Sequence, residues 1–365
     1  MNRKPDHSTR RQFLTGQSAV DAIGNLGQSV QQKLPTPAGS DSLEGRTYLV
    51  QIGRRAMACE FDVYLNAGEH EAATEYAIEA LDLIEEIEDQ LSVYRHRSEV
   101  SRLNLVAATR PVSVDRRLYQ LLKSAIQLHK ETKGAFDITS GPLIKVWGFY
   151  RREGKLPTSD ALETARASVG SDYLKLSDDF TVAFRRAGVE INLGGIGKGF
   201  ALDQCQSLLR ERAVEDFMIH GGNSSILASG DRAGSAGSGW TVGIRHPLRP
   251  ERRIAEIRLR DKSLGTSGTG TQHFYHQGRK YGHIIDPRSG QPAEGVLSTT
   301  VVAPRAAIAD ALSTAFYVMG VDEIRQYCES HPEIGALIIC AGKQSGVVDI
   351  SEFGMDDTAW SQLEN

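Results

Sequence analysis

The chain has 365 residues, 40% of them hydrophobic and 24% charged, with 42 Lys and Arg against 46 Asp and Glu for a net charge of −4. These values describe an ordinary globular protein with length enough for one large domain or two. Scattered basic residues give no basis for nucleic-acid binding, and no run reaches the roughly 18–20 apolar residues that a transmembrane helix requires.

Residues 1–44 read as separable from the folded sequence. Ser8-Thr9-Arg10-Arg11-Gln12-Phe13-Leu14 resembles a twin-arginine export signal, which predicts a periplasmic protein. Gln17, Asp21, Asn25 and Gln28 interrupt the apolar stretch that such a signal needs, so a cytoplasmic location stays open. No cysteine precedes Cys59, so no lipoprotein anchor is expected in the leader. A polar linker over 34–42 leads to a folded domain expected over 45–350, followed by a polar tail over 351–365. The cysteines Cys59, Cys205, Cys328 and Cys340 are far apart and form no CxxC pair, which argues against a zinc site or disulfide scaffold and for free thiols among apolar neighbours.

Phe61, Val63 and Leu65 alternate as a strand. Ala77, Ala80, Leu81, Ile84, Ile87 and Leu91 then mark a long amphipathic helix with an acidic, solvated outer face. A polar segment over 92–104 follows, carrying Tyr94. Residues 118–132 read as a helix that Lys133-Gly134 ends. In Ala135-Phe136-Asp137-Ile138-Thr139, Asp137 and Thr139 share parity, so both would face a cleft at a strand end; a capped turn is the alternative.

The most informative stretch runs Val189-Glu190-Ile191-Asn192-Leu193-Gly194-Gly195-Ile196-Gly197-Lys198-Gly199-Phe200-Ala201-Leu202-Asp203. Val189, Ile191 and Leu193 alternate as the buried face of a strand, and helical spacing begins near Phe200. Between them, four glycines and Lys198 would aim backbone N–H groups, a helix dipole and a cation at one spot, so phosphate is the natural occupant. The spacing is neither that of a P-loop nor that of a Rossmann fingerprint. A turn needed only for packing remains the alternative.

Further along, residues 220–225 form another glycine-rich bend, residues 264–269 a small hydroxyl-rich loop, and a polar hairpin leads to Tyr281-Gly282-His283-Ile284-Ile285-Asp286-Pro287-Arg288-Ser289-Gly290. In the helix spanning Ala309 and Gly320, Asp310 and Thr314 lie one turn apart on one face. A carboxylate and a hydroxyl so placed are hard oxygen donors suited to Mg²⁺, or simply a polar face. Strands and helices alternate irregularly with hairpins, so the expected fold class is α+β, with mixed layers meeting at a cleft.

In their order along the chain, Met57-Ala58-Cys59, the Tyr94 segment, residues 135–149, the Asn192 to Asp203 turn, residues 283–290 and residues 309–320 resemble the ApbE family, the FAD:protein FMN transferases. The resemblance implies mixed sheets with packed helices forming two subdomains around an FAD cleft. It implies transfer of the FMN part of FAD to a threonine hydroxyl of a target protein, with release of AMP. It also places Met57 and Tyr94 at the flavin, and Ala135, Phe136 and Asp137 in the FAD pocket. Asn192 falls at an adenine-ribose or metal contact, where the family usually has aspartate. Lys198 falls at the pyrophosphate, Thr266, Ser267 and Gly268 beside the nucleotide, and His283 and Ile285 near the reacting phosphate. Mg²⁺ would be held by Asp310, Thr314 and the Gly195 carbonyl. His283 is the candidate base, with Asp286 the alternative. FAD hydrolysis to FMN and AMP, or FAD binding without catalysis, are the competing readings.

Overall fold

A computed structural model describes residues 48–363, apart from 236, 269–271, 345 and 357. The export-like leader and its linker fall outside the described residues. Residues Thr47–Asn365 form one compact unit.

The strands in chain order are β1 (Leu49–Ala56), β2 (Cys59–Asn66), β3 (Val112–Ser113), β4 (Leu174–Ser177), β5 (Thr181–Phe184), β6 (Phe217–Gly221), β7 (Ser225–Ser229), β8 (Trp240–His246), β9 (Arg249–Leu259), β10 (Lys262–Gly268), β11 (His273–His276), β12 (Arg279–Gly282), β13 (Val296–Ala303), β14 (Gly335–Ala341), β15 (Val348–Phe353) and β16 (Trp360–Gln362). The helices are α1 (Ala73–Leu91), α2 (Glu99–Val106), α3 (Arg116–Glu131), α4 (Gly141–Val146), α5 (Ser159–Arg166), α6 (Gly197–Glu211), α7 (Ala306–Val318) and α8 (Val321–Ser330).

Eight strands make one antiparallel sheet in the order β1-β2-β6-β7-β10-β13-β14-β15. Its alternation is two-sided, because both faces are covered. Phe61, Val63, Leu65, Phe217, Ile219, Leu227, Val301 and Ile338 pack on one face against α1, α6 and α7. Ile226, Leu264, Val302 and Leu337 pack on the other against Trp240, Val242, Ile254 and Ile257 of the small sheet β16-β9-β8. A third apolar cluster, centred on Leu143, Trp147, Phe149 and Ile285, seats the β11–β12 hairpin through Phe274 and Tyr281. The architecture is the expected α+β class.

Four expectations change. The segment containing Val189, Ile191 and Leu193 is extended and buried on that face, yet only Glu190 bridges, in parallel, to Ser140. The reason is its partner: the Asn104 side-chain amide donates to Ile191 O at 2.9 Å and accepts from Ile191 N at 2.8 Å, doing by side chain what a neighbouring strand would do by backbone. The polar segment 92–104 contains the start of α2, with Ser98 Oγ accepting the Ser101 N–H at 2.9 Å as an N-cap. The hydroxyl-rich loop at 264–269 is largely strand β10, whose Thr266 Oγ1 meets Thr300 Oγ1 of β13 at 3.0 Å. Residues 351–365, expected as a tail, carry the end of β15 and all of β16, which pairs with β9 from Trp360↔Ile257 to Gln362↔Ala255.

All four cysteines are free, with Cys205 and Cys328 buried and Cys59 and Cys340 half-buried. Among the described residues no helix is long and apolar enough to cross a membrane.

Candidate active site

The glycine turn is shaped by Asn192, whose Oδ1 accepts the Gly194 N–H at 2.9 Å. This is a short-range turn that Asn forms readily through its side-chain carbonyl. Helix α6 then starts at Gly197, and close packing explains the glycine two residues on. A Cβ at Gly199 would lie 2.1 Å from the Ala306 carbonyl oxygen, and one at Gly265 2.3 Å from that of Ala309. Helix α7 is therefore pressed against α6 on one side and β10 on the other, which brings Asp310 to the first turn of α6.

Asp310 is 4% exposed. Its Oδ2 accepts the Gly199 N–H at 3.1 Å, its Oδ1 accepts Ser225 Oγ at 2.8 Å, and Lys198 Nζ stands 3.8 Å from Oδ1. Lys198 Nζ also donates to Ser224 Oγ at 2.9 Å. One turn further along α7, Thr314 Oγ1 lies 3.3 Å from Asp310 O and 3.2 Å from Ser267 Oγ. A methyl built on Gly195 would lie 3.4 Å from Thr314 Oγ1, so the glycine turn abuts that hydroxyl. Among the described residues no group of three or more His, Cys, Asp or Glu side chains could hold a metal. The donors present are one carboxylate, one hydroxyl and nearby backbone oxygen. That set fits a hard divalent cation completed by water and ligand oxygens, as for Mg²⁺, and does not fit zinc.

These groups open on a cleft of about 1170 Å³. Asn192, Gly195, Lys198, Asp310 and Thr314 line it, as do Thr266, Ser267 and Gly268 from β10. Tyr94, Ala135, Phe136, Asp137, His283 and Ile285 complete the set of anticipated residues found there. Tyr94 is 60% exposed and stacks on Tyr150, with ring centroids 4.7 Å apart and planes 22° apart. Burial raises its phenol pKa above the ordinary value, with Tyr150 adding to the effect and Arg152 opposing it.

His283 follows β12 directly. Its Nδ1 lies 3.0 Å from Gln272 O, and since a carbonyl only accepts, Nδ1 carries the proton and Nε2 the lone pair. Burial holds the imidazole below the ordinary histidine range; the Gln272 bond opposes this, while Lys198 and His273 reinforce it.

Three anticipated residues, Thr139, Asp286 and Met57, lie outside the cleft lining, and a fourth, Asp137, lines it but is engaged in the surrounding structure. Asp137 is a buried structural carboxylate. Its Oδ1 accepts the Thr139 N–H at 2.7 Å and Ser171 Oγ at 2.8 Å, and its Oδ2 lies 3.0 Å from both Ser171 N and His129 Nδ1. Burial raises its pKa, but His129 and Thr139 outweigh that and hold it below the usual carboxylate value. Thr139 is fully buried rather than facing the cleft. Asp286 does not line the cleft; it accepts from Arg288 N at 2.9 Å and Arg288 Nε at 3.0 Å inside a turn that Gly290 N closes onto Asp286 O at 2.7 Å. Met57 sits with Ala58 in the left-handed turn between β1 and β2, half-buried against the main core and outside the cleft lining.

Other residues of the site were given no role by the sequence. Ser224 and Ser225 hold Lys198 and Asp310, and the only hint of them was two hydroxyls after a glycine bend. Asp203 accepts Ala306 N at 2.7 Å and Ala307 N at 3.2 Å, capping α7 from α6. The cleft is also lined by Tyr64, Met218 and His220 from the large sheet and by Arg245, Arg252 and Arg253 from β8 and β9.

Fold and site together define an α+β protein whose glycine turn, lysine and buried carboxylate converge in a cleft roomy enough for a phosphate-bearing ligand. Residues 57–338 match the ApbE family model, and the chain belongs to the ApbE family. It is 34% identical over 336 residues to a FAD:protein FMN transferase of Treponema pallidum, covering 85% of this chain and 91% of that one. It is 33% identical over 261 residues to a FAD:protein FMN transferase of Vibrio cholerae, covering 70% of this chain and 77% of that one. Among solved structures, the ApbE protein of Thermotoga maritima superposes with a TM-score of 0.74 at 29% identity, over 83% of this chain and 97% of that one. The flavin transferase ApbE of Vibrio cholerae does so at 0.73 and 28%, over 84% and 98%.

Proposed function

We propose that this protein is an FAD:protein FMN transferase that attaches FMN to a threonine hydroxyl of an acceptor protein and releases AMP. The observation that supports the reading is the convergence of Lys198, Asp310, Thr314 and His283 on one cleft, in a chain related over most of its length to proteins of that name.

The chemistry asks for a nucleophile, a proton acceptor and relief of phosphate charge. The threonine oxygen attacks the phosphorus on the FMN side of the pyrophosphate. A new P–O bond forms as the bond from that phosphorus to the bridging oxygen breaks, and AMP leaves with the bridging oxygen and its electron pair. The hydroxyl proton passes to His283 Nε2, the ring nitrogen that keeps a lone pair. Asp286, engaged by Arg288, is poorly placed for that task.

Lys198, held by Ser224, offsets negative charge on the phosphates, and the N–H groups of the glycine turn add donors at the start of α6. Asp310, Thr314 and the Gly195 carbonyl are the donors that would hold Mg²⁺. When bound, the ion supplies positive charge against the pyrophosphate oxygens. Tyr94, on its Tyr150 support, offers an aromatic face to the isoalloxazine ring.

The test is incubation with FAD and Mg²⁺, with and without a threonine-bearing acceptor peptide, following AMP and peptide mass. The expected result is a peptide heavier by FMN, lost in Asp310→Ala. AMP release at an undiminished rate with the peptide unlabelled would make the protein an FAD pyrophosphatase. FAD bound with no AMP formed would overturn the enzyme reading.

A further inference from the structure

We propose that Gln272 is a positioning residue that fixes which nitrogen of His283 faces the reaction. The consequence for catalysis rests on the flavin-transferase reading; the geometry does not.

One carbonyl takes two bonds from one residue. Gln272 O accepts the His283 backbone N–H at 3.1 Å and lies 3.0 Å from the His283 ring Nδ1. The backbone bond sets where the histidine sits, and the ring bond sets how the imidazole is turned and where its proton lies. The Gln272–His283 backbone bond continues the β11–β12 register one step past His273↔Gly282, so the hairpin backbone holds this carbonyl on one side. A second hold comes from the Gln272 side chain, whose Nε2 donates to Phe149 O at 3.0 Å.

Phe149 is itself immobilised. It is 4% exposed and belongs to the cluster of Leu143, Trp147 and Ile285. Its ring packs against Phe274 at 5.7 Å and meets His283 edge-on at 6.5 Å. A rigid apolar cluster thus holds an amide, the amide holds a carbonyl, and the carbonyl holds a ring proton. This is the usual logic by which a group behind a catalytic histidine orients it, with a backbone carbonyl in the place often taken by a carboxylate.

The choice of a carbonyl has its own consequence. A carboxylate there would favour the imidazolium, whereas a neutral carbonyl favours the Nδ1–H tautomer without adding a charge. The charged and titratable groups facing the ring are Lys198 and His273, and both disfavour protonation. His283 is thereby kept neutral with its lone pair at Nε2. Without the side-chain anchor, the carbonyl keeps only its backbone bond to His283, and the looser ring shifts toward the Nε2–H form that histidine prefers in water, which cannot accept a proton from the attacking hydroxyl at that atom.

The experiment reads the tautomer directly. Imidazole ¹⁵N shifts of His283 are recorded at pH 7.5 for the full chain and for Gln272→Ala and Gln272→Lys, the lysine keeping an N–H donor for Phe149 O. The native chain should show Nδ1–H, Gln272→Ala a shift toward Nε2–H, and Gln272→Lys a return. Flavin transfer by Gln272→Ala should fall at least about tenfold in kcat, with KM for FAD within about twofold. The same change made in His283→Ala should cost nothing further, because the residue acts through the ring. An Nε2–H signal in the native chain, an unchanged tautomer in Gln272→Ala, or losses that multiply with His283→Ala would each overturn the proposal. If the protein turned over no FAD, the flavin-transferase reading would fall and the tautomer would still decide this one.

Discussion

Asp310 accepts the backbone N–H of Gly199 at 3.1 Å, so a carboxylate near the start of α7 is tied to the first turn of α6. The tie is returned: Asp203 of α6 accepts the first two N–H groups of α7. Each helix thus satisfies backbone donors that the other's geometry leaves open, and the two helix N-termini are locked side by side at the cleft. Registry between α6 and α7 therefore sets the spacing of Lys198, Asp310 and Thr314.

The first expectation follows from that packing. In Gly199→Ala the new methyl would meet the Ala306 carbonyl oxygen at 2.1 Å, a backbone atom with no freedom to retreat unless α7 moves. Overpacking of this kind costs about 1–3 kcal/mol, and chemical denaturation should show a loss at or above the top of that range. Stability within about 0.5 kcal/mol of the native protein would mean that the helices are less tightly locked than described.

Charge at the cleft gives the second. Lys198→Met keeps the length of the side chain and removes its cation, and Asp310→Asn keeps the shape and removes the anion. Each should lower AMP release from FAD by about 100-fold or more, the scale seen when a charge-stabilising group is lost, while far-UV circular dichroism is retained. A loss under about threefold in both would detach these residues from the chemistry.

The pH dependence has a fixed sign. A general base must be neutral, and burial lowers the His283 pKa below 6.5. The acid limb of kcat should therefore fall below pH 6.5, with a plateau at pH 7 and above. Folding stability moves the same way. The unfolded histidine takes up its proton at higher pH than the buried one, so the unfolded state binds more protons, and stability declines as pH drops below 6.5. His220, also lowered by burial, adds to that decline. A kcat limb centred above pH 7 would contradict the environment assigned to His283.

Tyr94 supplies the fourth. Tyr94→Phe keeps the ring on Tyr150, so affinity for FAD should change less than about twofold, whereas Tyr94→Ala removes the face and should weaken it by about fivefold, in line with ~1 kcal/mol for an aromatic pair. Quenching of flavin fluorescence on binding measures both. Equal affinities for the two variants would place the isoalloxazine ring elsewhere.

Local signals in the sequence carried much of this. The i, i+4 pair of Asp310 and Thr314 and the glycine turn at Lys198 were legible because each lies within a single element. Ser224, Ser225, Gln272 and Tyr150 were not, because each acts through a contact with a residue far away in the chain, and no periodicity encodes such a contact. The segment at Val189 shows the same limit from the other side: its alternation of burial was right, but its neighbour was the amide of Asn104 rather than a strand. Asp137 illustrates a third case, in which a polar residue in the expected place turns inward once His129 and Ser171 offer it partners.

The pairing of β16 with β9 has a practical consequence for handling the protein. Residues Trp360–Gln362 seal one border of the small sheet, opposite Ala255 and Ile257, which are buried. A chain cut after Phe353 would uncover that border and present an apolar, hydrogen-bonding rim ready to recruit a strand from another molecule. Such a protein should elute from a sizing column as mixed oligomers, even though the helices, the glycine turn and the cleft are all intact.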